Sequence, residues 1–290
     1  GASSFMPLSD LLAADQDPAA DDRPRLVWLH GTSCSGCSTS FLDLEQLTIL
    51  DLLTKFADVV FHPDLSLATG GQVTQLLEEL ADSDQDYLFV YEGGIPAGLP
   101  HACLMGERPI TEWVERLASG ATACVAAGTC AAFGGIPQME GTVTGSRTLA
   151  GHLTEAGIHK PVVNLPNCPM KPEHLAYVVL YFRRFGKLPD LDSHGRPEKF
   201  FAHTIHQRCP HYADFQEGHF ARFIGDEGCL LKLGCQGPVT YSDCTVYGHN
   251  GNTNNCIRAG HPCIGCAGDT FPRPIMLRAY DDNRPLRRRV

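Results

Sequence analysis

The residues of this chain best suited to chemistry are its thirteen cysteines, and their positions sort them into groups. Cys34 and Cys37 lie in His30-Gly31-Thr32-Ser33-Cys34-Ser35-Gly36-Cys37. Cys130 ends Ala127-Gly128-Thr129-Cys130, and Cys168 lies in Leu165-Pro166-Asn167-Cys168-Pro169. A second group joins His206 and Cys209 to Cys229 and Cys235. A third comprises Cys244, Cys256, Cys263 and Cys266, closing in Gly260-His261-Pro262-Cys263-Ile264-Gly265-Cys266. Eleven cysteines plus His206 make twelve ligands, which is three sets of four. Cys103 and Cys124 are left over and read as small apolar residues, Cys124 inside a strand and Cys103 in a loop before Pro109. The other candidate histidines, His101, His152, His174, His194 and His249, read as ordinary side chains.

An odd cysteine count does not fit a complete disulfide set, and disulfide scaffolds are usually much shorter than 290 residues. Four converging thiolates suit a 4Fe–4S cluster, with one cysteine per iron. Zinc also accepts four cysteines, and for Cys34, Cys37, Cys130 and Cys168 taken alone both metals stay open. Zinc sites more often use two close ligand pairs, which only Cys34/Cys37 and Cys263/Cys266 resemble. The wide separation of the remaining ligands favours clusters. A histidine in place of one thiolate leaves a cluster less negative and raises its potential, which suits a site near the surface that hands electrons outward.

Elements must bring these ligands together. Short apolar runs predict buried strands at Leu26–Leu29, Val59–Phe61, Tyr87–Tyr91, Ala123–Ala127 and Val162–Leu165. Helical patterns lie between them, at Phe41–Phe56, Val73–Leu80, Ile110–Ala118 and Leu175–Phe185, with Pro109 and Pro172 where helices can begin. Strands alternating with helices predict an α/β fold with a doubly wound parallel sheet. All strands of such a sheet end on one edge, so Cys34, Cys37, Cys130 and Cys168, each just past a strand, can converge there. Gly36 and Gly128 would let backbone approach inorganic sulfide. The third strand delivers Glu92, Gly93 and Gly94 to the same rim, where Glu92 is a candidate polar support. After Gly186 the long apolar runs stop, and Gly225 to Asp269 reads as mostly irregular. A segment of that kind needs an organiser, and metal binding can supply one because its energy becomes folding energy.

The formal net charge of −10 argues against a nucleic-acid binder, which needs a basic face. No run of 18 apolar residues exists, so no membrane span is expected. Residues 1–24 read as a flexible extension without signal-peptide character, with Gly1 to Ser4 as an expression remnant. Residues 25–186 and 187–290 read as two domains. The arginines at 284 and 287 to 289 read as a solvated end.

From Arg25 to Asp269 the sequence resembles the small subunit of nickel–iron hydrogenases. The matching stretches are Trp28 to Phe41 with Cys-x-Gly-Cys-Ser, Glu92-Gly93-Gly94-Ile95-Pro96, Gly128-Thr129-Cys130-Ala131, Leu165-Pro166-Asn167-Cys168-Pro169, His206-x-x-Cys209, Leu233-Gly234-Cys235-Gln236-Gly237-Pro238 and Gly260 to Cys266. The resemblance implies a flavodoxin-like domain followed by a mostly irregular iron–sulfur cluster-binding domain. It implies three 4Fe–4S clusters: proximal on Cys34, Cys37, Cys130 and Cys168; medial on Cys244, Cys256, Cys263 and Cys266; distal on His206, Cys209, Cys229 and Cys235. It also implies an obligate heterodimer with a large subunit that carries the nickel–iron centre, a dimer of heterodimers being an open alternative. The activity implied is hydrogen oxidation, with electrons relayed to an external acceptor and no catalytic residue in this chain.

Many members have proline at the position of Cys256 and a 3Fe–4S medial cluster, so Cys256 implies a full 4Fe–4S cluster of lower potential. Oxygen-tolerant membrane-bound members carry two extra cysteines where this chain has Gly36 and Gly135, which implies an ordinary proximal cubane. A twin-arginine signal and a trailing membrane helix are not seen, so the expected location is cytoplasmic, or periplasmic if a signal has been removed. A hydrogen-sensing regulatory member is the alternative on the same scaffold. The related cluster subunit of NADH:quinone oxidoreductase has adjacent cysteines in its first motif and one cluster, unlike Cys34-Ser35-Gly36-Cys37 here. A structural multi-zinc module is the third alternative.

Overall fold

The computed structural model describes residues 6–13 and 23–272. Gly1 to Ser4 and the arginines at 284 and 287 to 289 lie outside the described residues. Five strands form one sheet: β1 (Arg25–His30), β2 (Asp58–Phe61), β3 (Tyr87–Glu92), β4 (Ala123–Ala127) and β5 (Val162–Leu165). They are all parallel, in the order β2-β1-β3-β4-β5. This is the flavodoxin order, with its crevice between β1 and β3.

Alternation along each strand sorts side chains to two faces. Leu26, Trp28, Leu88, Val90 and Val125 enter one core. Val27, Leu29, Phe89, Tyr91 and Ala126 enter the other. A parallel sheet needs cover on both faces. Helices α1 (Leu8–Ala13) and α7 (Pro172–Phe185) cover the first, together with Phe41, Leu44, Leu47, Leu52 and Phe56. Helices α3 (Gly71–Ala81), α4 (Ile110–Gly120) and α6 (Leu149–Glu155) cover the second. Two short helices, α2 (Gly36–Ser40) and α5 (Gly128–Phe133), follow β1 and β4 directly.

Two expectations need correction. Phe41–Phe56 is not one helix. It breaks into a 3-10 turn (Phe41–Asp43), a helical turn (Ile49–Asp51) and a π turn (Leu52–Phe56). Leu44 is extended, and the Thr48 side chain accepts from the Asp51 N–H at 3.0 Å, capping a fresh turn. That local bond competes with continuing the helix. Within residues 1–24, expected as a flexible extension, Leu8–Ala13 is helical and buries Leu8 and Leu11 against the sheet core. Helix α6 was not expected; Thr148 caps it by accepting from the Gly151 N–H at 3.0 Å.

Beyond Gly186, which ends α7 in a left-handed conformation, only helical turns of five residues or fewer occur among the described residues. A small core there comprises Ile205, Ile257 and Cys263, with Cys209, Cys235 and Cys244 packed against it. Thiols therefore make up much of its interior. The join to the first part is polar and buried. Lys171, fully buried, donates to Asp243 Oδ1 at 2.5 Å and to the Tyr247 carbonyl, and His174 Nε2 lies 3.2 Å from Asp243. Burial pushes Asp243 up, but His174 and Lys171 hold its carboxyl below the ordinary range.

Candidate metal centres

The four central strands end in a single row. His30 pairs with Glu92, Glu92 with Ala127, and Ala127 with Leu165. The segments that follow therefore leave the sheet at one level and carry Cys34, Cys37, Cys130 and Cys168 to one rim. Thiolate repulsion between Cys37 and both Cys130 and Cys168, and between Cys34 and both Cys130 and Cys168, marks these four as neighbours. Backbone crowds them closely. A Cβ at Gly128 (φ +82°) would collide with Cys37 Sγ. One at Gly135 would lie 3.2 Å from Cys130 Sγ, and one at Gly36 3.1 Å from Cys34 Sγ. Glycine keeps these approaches open. Cys34 is exposed and Cys37 buried, so the site opens on the surface.

Glu92 sits beneath this rim with its side chain buried. Oε1 accepts from Ser33 Oγ at 2.8 Å and from the Cys37 N–H at 3.1 Å. Oε2 accepts from the Ser38 N–H at 3.1 Å and from Ser38 Oγ at 2.6 Å, and His30 Nε2 lies 3.1 Å away. Burial pushes this carboxyl up, yet the hydrogen bonds from His30 and Ser38, the His30 charge and the Ser33 hydroxyl outweigh it, leaving a pKa of about 2. Glu92 thus ties both ends of the Cys34–Cys37 loop to the sheet. Behind it His62 is brought to about 4, chiefly by burial and then by His30, so it is neutral at physiological pH. Its Nδ1 accepts from the Asp64 N–H at 3.1 Å, which puts its proton on Nε2, 3.2 Å from Ser38 Oγ.

The other two quartets each line one cavity. Cys244, Cys256, Cys263 and Cys266 line one, with Asn167, Ser242 and His249. His206, Cys209, Cys229 and Cys235 line the other, with Leu230 and Ile257. The His206 ring is set by Phe215 and Tyr212, at centroid distances of 4.6 and 5.2 Å. Neighbouring sites touch. The Cys263 N–H donates to Cys235 Sγ at 3.3 Å, and Asn167 Nδ2 lies 3.5 Å from Cys244 Sγ. The quartet of Cys244, Cys256, Cys263 and Cys266 therefore adjoins both of the others, giving a series of three.

Thiols in these places resist ionisation by themselves. Burial pushes Cys130 up to about 11 and Cys263 to about 12, and raises Cys37 and Cys266 well above the ordinary range, with neighbouring thiols adding to the effect. A positive metal centre is the partner such a donor set lacks, and its binding would release the protons. A single zinc ion is a poor fit. Its sulfur ligands, about 2.3 Å from the metal, sit about 3.8 Å from one another. Among the described residues, the one group of three or more histidine, cysteine or carboxylate ligand atoms lying mutually within 4.8 Å is that of His30, His62 and Asp64; no three members of any quartet are so tight. A larger, polynuclear group fits the spacing.

The leftover thiols sit as expected: Cys124 is fully buried in β4, and Cys103 packs partly buried against the core. Several residues of the site escaped the sequence reading. His249, taken as an ordinary side chain, has Nε2 3.6 Å from Cys244 Sγ. Ser38, Thr129, Asn167 and Asp243 also belong to these sites. Each is the polar neighbour of a candidate ligand, next to Cys37, Cys130, Cys168 and Cys244 respectively, and that adjacency was the available signal.

Comparison with known proteins gives two family matches on successive parts of the chain. Residues 34–182 match the NADH ubiquinone oxidoreductase 20 Kd subunit family, and residues 201–277 match the C-terminal family of the NiFe/NiFeSe hydrogenase small subunit. The F420 non-reducing hydrogenase II small subunit of Methanosarcina mazei is 34% identical, over 89% of this chain and 76% of its own length. The periplasmic [NiFeSe] hydrogenase small subunit of Desulfomicrobium baculatum is 33% identical, over 85% of this chain and 84% of its own. Among solved structures, a reduced, active form of the Ni-Fe-Se hydrogenase from Desulfomicrobium baculatum superposes with a TM-score of 0.83 at 32% identity, covering 87% of this chain and 97% of that one. The actinobacterial-type NiFe-hydrogenase from Ralstonia eutropha H16 gives 0.81 at 30% identity, covering 93% and 85%.

Proposed function

Because this chain belongs to the small-subunit family of nickel–iron hydrogenases, an electron-transferring subunit that works with a large subunit, we infer that its twelve ligand positions hold three 4Fe–4S clusters. The proximal set is Cys34, Cys37, Cys130 and Cys168. The medial set is Cys244, Cys256, Cys263 and Cys266, and the distal set is His206, Cys209, Cys229 and Cys235. The observation carrying this is that each of the last two sets lines one shared cavity and is spaced too widely for a single ion. When bound, the clusters supply one-electron storage in series between the partner's hydrogen-splitting nickel–iron centre and an external acceptor.

The chain's own residues make that series usable. Glu92 and Ser38 hold the Cys34–Cys37 loop against the sheet. Gly128 and Gly135 let the backbone pass close to Cys37 and Cys130. Ile257 lines both the medial and the distal cavity and packs with Ile205 in the small core they share. Using His206 rather than a fourth thiolate leaves the distal site less negative and raises its potential. The proximal rim is the face for the large subunit. The segments following β1 to β4 carry the exposed Leu42, Leu67, Leu104, Ile136 and Val143, with Leu67 98% and Val143 81% exposed. Apolar exposure on that scale fits an obligate contact.

The test is to purify the chain with its partner and quantify iron, sulfide, nickel and zinc. About twelve irons and twelve sulfides per small chain, with nickel in the partner, are expected from three cubanes. Three zinc ions, or four irons only, would overturn the reading.

A further inference from the structure

Asn167 occupies two sites at once. Its main chain belongs to the proximal side: its N–H donates to Thr129 Oγ1 at 3.0 Å, and its carbonyl accepts from the Thr129 N–H at 3.1 Å. It immediately precedes Cys168, and Thr129 immediately precedes Cys130. Its side chain is fully buried and points the other way. Nδ2 lies 3.3 Å from Ser242 Oγ, 3.5 Å from Cys244 Sγ and 3.9 Å from Cys266 Sγ. The adjoining Cys168 N–H also donates to Cys266 Sγ, and the Thr129 hydroxyl donates to the Cys266 carbonyl.

The backbone of Asn167 is the second observation. Its φ is +148°, a conformation that L residues rarely adopt. Glycine would take it without strain. An asparagine held there, with its carboxamide aimed at two sulfurs, points to a use for the side chain.

We propose that Asn167 is a positioning residue that sets the potential of the medial site by donating its carboxamide N–H groups to Cys244 and Cys266. This rests on reading the last four cysteines as a 4Fe–4S site. With four thiolates that site carries more negative charge than the distal one, and each added electron makes it more negative. Donors aimed at the sulfurs favour the reduced state and raise the potential. Asn167 thereby lifts the middle member of the line toward its neighbours.

The experiment is a redox titration of the purified heterodimer followed by electron paramagnetic resonance, with metal analysis alongside. Asn167→Gly removes the donor while suiting the backbone. Asn167→Asp keeps the shape but replaces the donor with an acceptor. The medial reduction equilibrium is expected to fall about tenfold in the glycine variant, about 59 mV for one electron, and further in the aspartate variant. The proximal and distal potentials stay put. Three intact clusters with an unmoved medial potential would overturn the role of Asn167 and leave the cluster reading standing. Loss of the medial irons in both variants would also overturn it, making Asn167 a purely structural residue. Fewer than three clusters in the unmodified protein would overturn the cluster reading itself.

Discussion

Replacing Glu92 by Gln isolates the contribution of the buried carboxylate to the proximal loop. The carboxyl has a pKa of about 2 in the folded chain against an ordinary 4.5. That difference is worth about 3 kcal/mol in favour of the charged, folded form. Because the pKa is depressed, the contribution is fully present above about pH 4.5. It disappears only as pH falls toward 2, so it is still present across neutral pH. Glutamine has one acceptor oxygen where the carboxylate has two. Its NH₂ would face either the Cys37 amide and the Ser33 hydroxyl or the Ser38 amide and the Ser38 hydroxyl, leaving a buried backbone donor opposed. If the whole loss falls on the Cys34–Cys37 loop, the open population of that loop rises about 100-fold. Iron capture by a coloured chelator reads this out, because capture follows the open population when reclosing is fast. About a third of the iron should leave about 100 times faster in Glu92→Gln than in the unmodified heterodimer, with the remainder unchanged. Equal rates at pH 7 would show that Glu92 does not hold this loop. A rate difference that shrank between pH 8 and 6 would refute the sign of the argument.

Three further perturbations address other parts of the line. Gly128→Ala puts a Cβ against Cys37 Sγ at a φ of +82°, so iron should fall from about twelve to about eight per chain, with the proximal signal lost. Cys256→Ser should convert or destabilise the medial site alone, and an unchanged medial resonance signal would remove Cys256 from that set. Lys171→Met leaves Asp243 buried with only His174 beside it. A cost of about 3–5 kcal/mol is expected, seen as a lower melting temperature of the heterodimer; an unaltered melting temperature would mean that the Lys171–Asp243 pair contributes little.

Most of the sheet was legible from the chain because its strands are fully buried and short. Apolar runs such as Tyr87–Tyr91 and Ala123–Ala127 can satisfy both faces of a parallel sheet and little else. The segment 41–56 misled because its leucines are spaced acceptably for a helix, while the cap at Thr48, a local hydrogen bond, decides the outcome. Helix α5, carrying Cys130, was hidden by its brevity.

The sequence by itself determined the candidate donor set. Residue type is decisive for soft metals, and twelve candidate donors in motifs of fixed spacing leave little freedom in grouping. Only the tertiary structure decided how the three groups stand to one another. Asn167 meets Cys244 across 77 residues, Lys171 meets Asp243 across 72, and Glu92 meets Cys37 across 55. The first two join polar atoms whose partners are set by where the two parts of the chain dock, and the third is set by the pairing of β1 with β3. Local pattern carries no record of docking, because a buried polar group states only that it needs a partner, never which one.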